Sequence, residues 1–376
     1  MNSRERILAA MKGQPVDRIP FVPNLNGYTI LSMPQRYHTM QRYEILKELG
    51  IDLFVRFRVG SRIRPPMILI PPPQSGVSTM TSSFARGWMA SMPVTDKIQV
   101  RTHYDNGAMY VTVDTPKGSL RCGWQNTPQC PDLPFPTEHL LKSIEDVRIF
   151  RYVLDHTVVE PAYEEIEQTL AAVGDEGTCE AAGGATPIQE MIEILMGMEK
   201  FFPFMMSEHT REMEDLLEHM LEIRKQEYRV LADSPAPVIV TGENTSTTLS
   251  SPAFMARYEF PALNAYSDIL HAKGKIHMVH MCGKLHRVID QLADARFDGI
   301  HDVAPAPSGD FKFEEDFEKL RASGKCLSGG IDCTAFAHLP VEELERYVIE
   351  RLGQIAPGNG FLLGSGDTVP WGTGED

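Results

Sequence analysis

The sequence predicts an α/β protein whose strands and helices close into a (β/α)8 TIM barrel. Short apolar runs of strand length alternate with amphipathic stretches of helical period, and the strand-like runs number eight. Eight repeated strand and helix units favour a closed barrel of parallel strands over an open sheet. Because α/β barrels form single domains longer than the average, a length of 376 residues fits one barrel over residues 1–376.

The chain opens with a helical extension that precedes the first strand. Ser3 is placed to cap a helix over Arg4–Met11, which Gly13 and Pro15 then end. We therefore expect this helix to lie outside the eight repeated units.

Each predicted strand is a short apolar run, and each predicted helix has apolar residues at helical spacing. In chain order the strands are Ile19–Asn24, Leu53–Phe57, Gly177–Gly183, Val238–Glu243, Lys275–Met281, Gly299–Val303, Cys326–Ile331 and Gly360–Leu363. The helices between them are Thr137–Ala172, Pro187–Phe202, Thr210–Ala232, Pro252–Lys273, Leu285–Ala295, Asp316–Ala322 and Val341–Ala356. Only thirteen residues follow the eighth strand, so we expect the last unit to lack its helix.

One segment departs from this alternation and predicts an inserted antiparallel hairpin at about 97–124. Within it, Gln99–Trp124 alternates like a pair of strands around the turn Asp105-Asn106-Gly107. Proline-rich patches at Pro65–Pro73 and Pro131–Pro136 flank the hairpin, and their composition is typical of loops.

The overall charge argues against nucleic acid as the main partner. The chain is 42% hydrophobic and 23% charged, with a net charge of −15. Binding DNA or RNA needs an excess of Lys and Arg to neutralise phosphates. Residues 1–65 are an exception, because nine Arg and two Lys against five acidic residues give a local charge of +6. This segment either orients an anionic ligand or partner, or simply carries solvated arginines.

The sequence predicts neither membrane insertion nor secretion. The longest apolar runs fall well short of the roughly 18–20 residues that span a bilayer. Six cysteines are too sparse for a disulfide scaffold, and Met1 is followed by a charged helical stretch rather than a signal peptide. We therefore expect a cytoplasmic protein with free thiols.

The most informative chemical signal lies at the end of the fifth predicted strand, in Lys275–Gly283. Because side chains alternate along a strand, His280 and Cys282 point to the same side at the mouth of the barrel. An imidazole and a thiolate in this arrangement are suited to bind zinc. The motif H-x-C alone is weak, and the alternative is a hydrogen-bonded core histidine beside an inert buried thiol.

Further ligands and acids are expected at the ends of other strands, because active sites of such barrels lie at their carboxyl-terminal face. Zinc in a catalytic site needs at least three protein ligands. Glu243 after the fourth strand is the best placed, whereas Glu259, near a helix start, is equally suited to a cap or an ion pair. Asp302 and Asp367 follow the sixth and eighth strands and are candidate catalytic acids.

Three residues near the front of the barrel are candidates for substrate binding. Arg56 and Arg58 follow the second strand and can grip a carboxylate, although a solvated loop is an alternative. Asn24 begins the segment 24–33, which we expect to shape the pocket.

Several segments spread along the chain resemble the uroporphyrinogen decarboxylase superfamily. They are Ser3–Pro20, Leu249–Phe254, the motif His280-x-Cys282-Gly283, Gly309-Asp310, Gly329–Asp332 and Gly360–Leu363. The resemblance runs nearly end to end and implies a (β/α)8 barrel. It also implies either a decarboxylase or a cobalamin-dependent methyltransferase, since the superfamily contains both.

The details of the motifs resemble the methyltransferase branch. The arginine-rich R-Q-A-G-R segment of true decarboxylases is absent from the N-terminal part. In methyltransferases the H-x-C motif binds zinc with a cysteine from a G-C-G-x-x-P-like segment. Here the corresponding stretch has Gly366 at the expected cysteine and Asp367 beside it. The subgroup that demethylates aryl methyl ethers uses two glutamates and a histidine, and Glu243, Glu259 and His280 have nearly that spacing.

The resemblance therefore implies a zinc site built from His280, Cys282, Glu243 and Glu259, and a small methyl donor, in the first place an aryl methyl ether. Zinc would stabilise the charge on the leaving oxygen while the methyl group passes to a Co(I) corrinoid. Asp302 or Asp367 would supply a proton to the departing phenolate. The sequence has no D-x-H-x-x-G motif, so the corrinoid is expected on a separate protein that docks at the barrel mouth.

Two alternatives remain open at this point. One is a metal-independent decarboxylase of a carboxylated aromatic compound or tetrapyrrole, with Asp302 and Arg56 or Arg58 in the site. The other is a barrel without catalytic activity that binds a ligand or partner protein. The absence of the expected cysteine, at Gly366, favours this alternative.

Overall fold

The computed structural model describes residues 1–25, 27–65, 97–127, 130–370 and 373. Its strands are β1 (Phe54–Val59), β2 (Ser61–Arg64), β3 (Gln99–Asp105), β4 (Ala108–Thr115), β5 (Gly118–Thr127), β6 (Cys130–Glu138), β7 (Val158–Pro161), β8 (Thr178–Gly183), β9 (Val238–Thr241), β10 (Ile276–His280), β11 (Gly299–Val303), β12 (Cys326–Ile331) and β13 (Phe361–Ser365). Most of the predicted patch Pro65–Pro73 lies outside the described residues.

The helices fall into three types. The α-helices are Ser3–Met11, Gly27–Ser32, Arg42–Glu48, Ile144–Asp155, Glu164–Val173, Pro187–Glu190, Met198–Met205, Thr210–Asp233, Pro252–Phe254, Phe260–His271, Ile289–Asp294, Glu318–Ala322, Ala335–His338 and Val341–Ile355. The 3-10 turns are Gln35–Thr39, Gly174–Glu176 and His286–Val288. The π-helical turns are Met191–Leu195, Met255–Glu259 and Phe313–Phe317.

A seven-stranded parallel sheet in the order β1-β8-β9-β10-β11-β12-β13 forms the centre of the molecule. These strands correspond to seven of the eight predicted ones. The remaining segment, Ile19–Asn24, forms a parallel bridge between Phe21 and Leu363 of β13. Its backbone is fixed there by hydrogen bonds from Val22 N to Leu363 O at 2.8 Å and from Leu363 N to Pro20 O at 2.9 Å.

The sheet is strongly curled. Strands β1 and β11 are four positions apart in the sheet order, which would separate them by about 19 Å if the sheet were flat. Nevertheless, Arg56 Nη2 on β1 lies 2.7 Å from Asp302 Oδ2 on β11. The two side chains can meet only because the sheet bends around a common interior, as a barrel wall does.

Alternation along the strands separates two cores. Val238, Val240 and Met278 point into the curled sheet, where they pack with Ile7 of the first helix. Their outward-facing neighbours join a larger core with the surrounding helices, which includes Ile239, Val279, Leu263, Tyr266 and Leu320. The cap of the first helix is Asn2 and not Ser3, because the Asn2 side chain accepts the hydrogen bond from Glu5 N and Ser3 is already helical.

The insertion is a four-stranded antiparallel sheet in the order β3-β4-β5-β6, which is larger than a hairpin. Strands β3 and β4 lie where the hairpin is predicted, and Asn106 and Gly107 both have positive φ angles in the turn between them. The prediction of a loop over Pro131–Pro136 is wrong, since this patch belongs to β6. An edge strand tolerates prolines because its outer side needs no backbone donors.

The predicted helix Thr137–Ala172 is also interrupted. It contains the helices Ile144–Asp155 and Glu164–Val173, with β7 between them pairing antiparallel with β2. The β-branched run Thr157-Val158-Val159 followed by Pro161 disfavours a helix at that point. In the described part of the chain, every helix is too short or too polar to cross a membrane.

Candidate functional site

Most of the site residues predicted from the sequence gather at the carboxyl ends of the parallel strands. His280 is the last residue of β10, and Cys282 follows two residues later. Asp302 lies in β11, while Glu243 and Asp367 follow β9 and β13. This is the end of a parallel sheet at which α/β barrels place their active sites.

His280, Cys282 and Asp367 form the strongest candidate metal site. One ligand atom of each residue lies within 4.8 Å of the others, and His280 is almost fully buried. Ligands bound at 2.0–2.3 Å to one tetrahedral zinc ion are roughly 3.3–3.8 Å apart, so the three side chains need only a small contraction to bind it. A nitrogen, a sulfur and a carboxylate oxygen are all donors that zinc accepts. The residues present therefore fit zinc.

The ionisation of this group reflects burial and mutual contact. Burial raises the pKa of the Cys282 thiol, Asp367 raises it further, and His280 opposes both effects. Burial alone would lower the pKa of His280, but Cys282 and Asp302 outweigh it and raise that pKa well above its ordinary value. Asn244 Oδ1 lies 3.8 Å from Cys282 Sγ and accepts a hydrogen bond from the thiol.

Below His280, a charged network fills the interior of the curled sheet. Arg56 donates to Asp302 Oδ2 at 2.7 Å and to His301 Nδ1 at 2.6 Å, and its Nε lies 3.5 Å from Glu180 Oε1. All four side chains are at least nine-tenths buried. Because Arg56 donates to its Nδ1, the His301 ring is neutral, and burial together with Arg56 lowers its pKa well below the ordinary value.

His280, His301 and Asp302 also bring three potential ligand atoms within 4.8 Å of one another. However, the Arg56 guanidinium lies at 2.6 Å from His301 and 2.7 Å from Asp302. A cation at this position would be next to a buried positive charge, so this second group is a poor metal site.

Two β-bulges create the network. The register of β1 shifts between Val55 and Arg58, and that of β11 shifts between Ile300 and Val303. Within the bulges, Phe57 and Asp302 have φ angles of 56° and 65°, which residues other than glycine rarely adopt. As a result, two successive residues of each strand turn toward the interior, whereas regular alternation would direct only one of them there.

The three predicted substrate-binding residues contact other side chains within the fold. Arg58 points to the outer side of the sheet, where its Nη1 lies 2.5 Å from Glu165 Oε1 on a covering helix. Arg56 is committed to the interior ion pairs, and Asn24 is buried with its Nδ2 at 3.5 Å from Asp302 Oδ2. Arg56 and Asn24 therefore contact the charged network, whereas Arg58 pairs with Glu165 outside it. That these three residues bind substrate stays a prediction.

Asp302 is also unsuited to the predicted role of proton donor. Burial by itself would raise the pKa of this carboxyl, but Arg56, His301 and His280 together hold it well below its usual range. A carboxylate that stays ionised at neutral pH has no proton to give. Asp367, the other predicted acid, lies instead among the candidate metal ligands.

Glu243 and Glu259 belong to a separate buried acidic cluster that also contains Glu193. Glu243 accepts hydrogen bonds from Thr186 N and Thr186 Oγ1, both at 2.7 Å, and Glu259 accepts one from Thr245. Burial raises the pKa of all three carboxyls, and repulsion between them adds to the effect for Glu243 and Glu259. Among the described residues, neither Glu243 nor Glu259 joins His280 in a group of three potential ligands. The third potential ligand beside His280 and Cys282 is Asp367.

Sequence reasoning missed Glu180, Glu193 and His301. Glu180 is the one charged residue in β8, and Glu193 lies in the apolar π-helical turn Met191–Leu195. A charged residue inside an otherwise apolar run is a signal that could have identified both. His301 had no such signal, since its inward position depends on the bulge in β11.

Several arginines of the basic N-terminal segment form ion pairs within the fold. Arg6 lies 2.6 Å from both Asp17 Oδ1 and Asp52 Oδ1, and Arg18 lies 2.7 Å from Asp52 Oδ2. With Arg56 and Arg58 also paired, much of the positive charge of residues 1–65 is neutralised within the fold.

Both the sequence and the fold are similar to known proteins. The sequence model described as uroporphyrinogen decarboxylase (URO-D) matches residues 125–376. No curated protein matches the sequence. A solved methyltransferase from Methanosarcina mazei is similar in structure, with a TM-score of 0.59, 15% sequence identity, and coverage of 99% of this chain and 95% of that chain. D-psicose 3-epimerase with D-tagatose from Clostridium cellulolyticum H10 has a TM-score of 0.35 and 10% identity over 54% of this chain and 70% of that chain. At 15% identity, the first similarity concerns the fold.

Proposed function

The chain belongs to the uroporphyrinogen decarboxylase family, and we propose that it is a (β/α)8 barrel acting as a zinc-dependent methyltransferase of the cobalamin-dependent branch. The observation that carries the proposal is the group His280, Cys282 and Asp367 at the carboxyl end of the sheet. The H-x-C motif supports it from the sequence, and Asp367 supplies a third donor where a cysteine is expected.

Bound zinc would act as a Lewis acid that stabilises negative charge on the atom losing its methyl group. His280, Cys282 and Asp367 would hold the metal, and the thiol and carboxyl would bring two negative charges to it when ionised. The donor is a small methyl ether, in the first place an aryl methyl ether, because a phenolate is a poor leaving group that gains most from this activation. The acceptor is the Co(I) corrinoid of a separate protein that docks at the mouth.

The buried acidic cluster is the source of the proton for the leaving phenolate. Burial raises the pKa of Glu193, Glu243 and Glu259, and for Glu259 the pKa rises to about 7, so a share of the Glu259 carboxyl stays protonated near neutral pH. The charge of His280 lowers the pKa of Glu193, which supports a position of this cluster near the proposed metal site. Because Oε1 of Glu259 accepts from Thr245, its proton would reside on Oε2.

The metal-independent decarboxylase has less support. A decarboxylase of a carboxylated substrate needs a free cation at the mouth, whereas Arg56 and Arg58, its predicted cations, are bound to acidic side chains. Release of carbon dioxide from a carboxylated aromatic compound, without a corrinoid present, would revive this alternative.

Elemental analysis and methyl transfer test the proposal together. We expect about one zinc ion per chain, and loss of most of it in His280→Ala and Asp367→Ala. His286→Ala is the matched control, since His286 is half-buried and hydrogen bonded to Asp316 outside the metal group. Methyl transfer from an aryl methyl ether to Co(I) cobalamin should follow the zinc content. A metal-free preparation that remains active, or full activity in His280→Ala, would rule the proposal out.

A further inference from the structure

We propose that Asp302 is a positioning residue that fixes the His280 ring for metal binding, and that Arg56 and the bulge in β11 hold Asp302 in place for this purpose. This inference rests on the proposed zinc site. It assigns Asp302 a role through His280 rather than a direct part in the reaction.

The contacts of Asp302 support this role. Its Oδ2 atom lies 3.3 Å from His280 Nδ1 and 2.7 Å from Arg56 Nη2. Its Oδ1 atom lies 3.5 Å from Ser328 Oγ, so both carboxylate oxygens have polar neighbours. The carboxylate is 1% exposed and therefore cannot easily turn away toward solvent.

His280 depends on this neighbour. Its Nδ1 atom is buried and forms no hydrogen bond of regular geometry with any described residue, so the Asp302 carboxylate at 3.3 Å is the charged group that faces it. A histidine that binds zinc commonly directs its second ring nitrogen to a carboxylate, which fixes both the tautomer and the ring orientation. With Nδ1 facing Asp302, the His280 ring has Nε2 left as its ligand atom.

The backbone conformation that places Asp302 here is strained. Asp302 has a φ angle of 65° within a bulge, and a residue other than glycine in this region is strained. Its partner Arg56 is placed by a second bulge in the facing strand β1, next to Phe57 with a φ angle of 56°. Neither strand needs a bulge to bury apolar side chains, because regular alternation does so elsewhere in the sheet.

Zinc affinity of the whole 376-residue chain tests the inference. In Asp302→Asn the carboxylate is replaced by an amide of the same shape, and we expect zinc binding to weaken about 10- to 100-fold in competition with a chromophoric chelator. Asp316→Asn is the matched control. Asp316 is also a buried carboxylate beside a histidine, at 2.9 Å from His286 Nδ1, but it lies outside the metal group. The zinc affinity of Asp316→Asn should stay within about twofold of that of the original chain. This change is far below the loss that is typical when a residue hydrogen bonded to a metal ligand is replaced.

A spectroscopic measurement separates positioning from a general loss of structure. With cobalt(II) in place of zinc, the visible absorption bands report the geometry of the ligands. We expect these bands to change in Asp302→Asn and to be preserved in Asp316→Asn. If Asp302→Asn does not fold, Asp302→Glu replaces it, because it keeps the charge beside Arg56 but moves the carboxylate by one methylene group. The same weakening and the same spectral change are expected there.

The outcomes distinguish this inference from the proposed function. If the original chain binds zinc through His280 and the Asp302 variants have the same affinity and cobalt spectrum, the positioning role is refuted and the methyltransferase proposal stands. If the original chain binds no zinc, or binds it equally well in His280→Ala, both are refuted.

Discussion

Replacement of Asp52 by Asn should destabilise the chain and loosen the segment that borders β13. The Asp52 side chain is fully buried and accepts hydrogen bonds from Arg6 Nη1 at 2.6 Å, Arg18 Nη1 at 2.7 Å and Phe21 N at 2.9 Å. Phe21 in turn forms the bridge to Leu363. One carboxylate therefore joins the first helix to the segment beside the last strand.

The size of the effect follows from these contacts. Loss of one partner of a buried ion pair costs about 3–5 kcal/mol of unfolding free energy. Arg6 keeps Asp17 as a second partner and half of the Arg18 side chain is exposed, so we expect the lower end, about 3 kcal/mol. For a chain of 376 residues, an unfolding entropy of about 2.1 cal/mol/K per residue converts this loss to a decrease of about 4 °C in Tm.

Urea unfolding and calorimetry measure this change. Asp175→Asn is the control, because the Asp175 side chain is fully exposed and its pair with Arg4 is long, at 3.8 Å. We expect no measurable change in the control. A loss of less than about 1 kcal/mol in Asp52→Asn, which is the range of surface pairs, would refute the view that Asp52 anchors the segment.

Two further predictions concern pH. Burial lowers the pKa of His277 to about 3, while the unfolded chain binds this proton near pH 6.5. Stability is therefore fully present above about pH 6.5 and falls as the pH decreases toward 3, by up to about 2 kcal/mol at pH 5. His277→Gln should reduce the difference in unfolding free energy between pH 7.5 and pH 5, and an unchanged difference would contradict the argument. Burial and Glu193 raise the pKa of Glu259 to about 7, so methyl transfer should decline as the pH rises through 7. Glu259→Gln should lower kcat and remove that decline while the zinc content is kept, and a variant with the original kcat and pH profile would exclude Glu259 as the proton source.

Local sequence patterns were sufficient to predict most strands of the parallel sheet and the central pair of the candidate site, His280 and Cys282. Apolar runs of strand length predicted β1 and β8–β13 within a few residues, because burial of a strand on both faces leaves a direct trace in the sequence. The period of two along a strand likewise predicted that His280 and Cys282 share one side. The structure brings these two residues together as potential ligands.

Partners from distant strands could not be predicted in the same way. Whether Asp302 donates a proton or pairs with Arg56 depends on the curl of the sheet, which brings β1 opposite β11. The inward turn of His301 and Asp302 depends on a bulge, and a shift of one residue reverses which side chains face the interior. The family resemblance implied Glu243 and Glu259 as ligands, but the distances between side chains favour Asp367. Periodicity thus determined the strands and their faces, whereas the pairing of buried charges was decided by the packing of the whole chain, because electrostatic contacts depend on distance in space and not on separation in sequence.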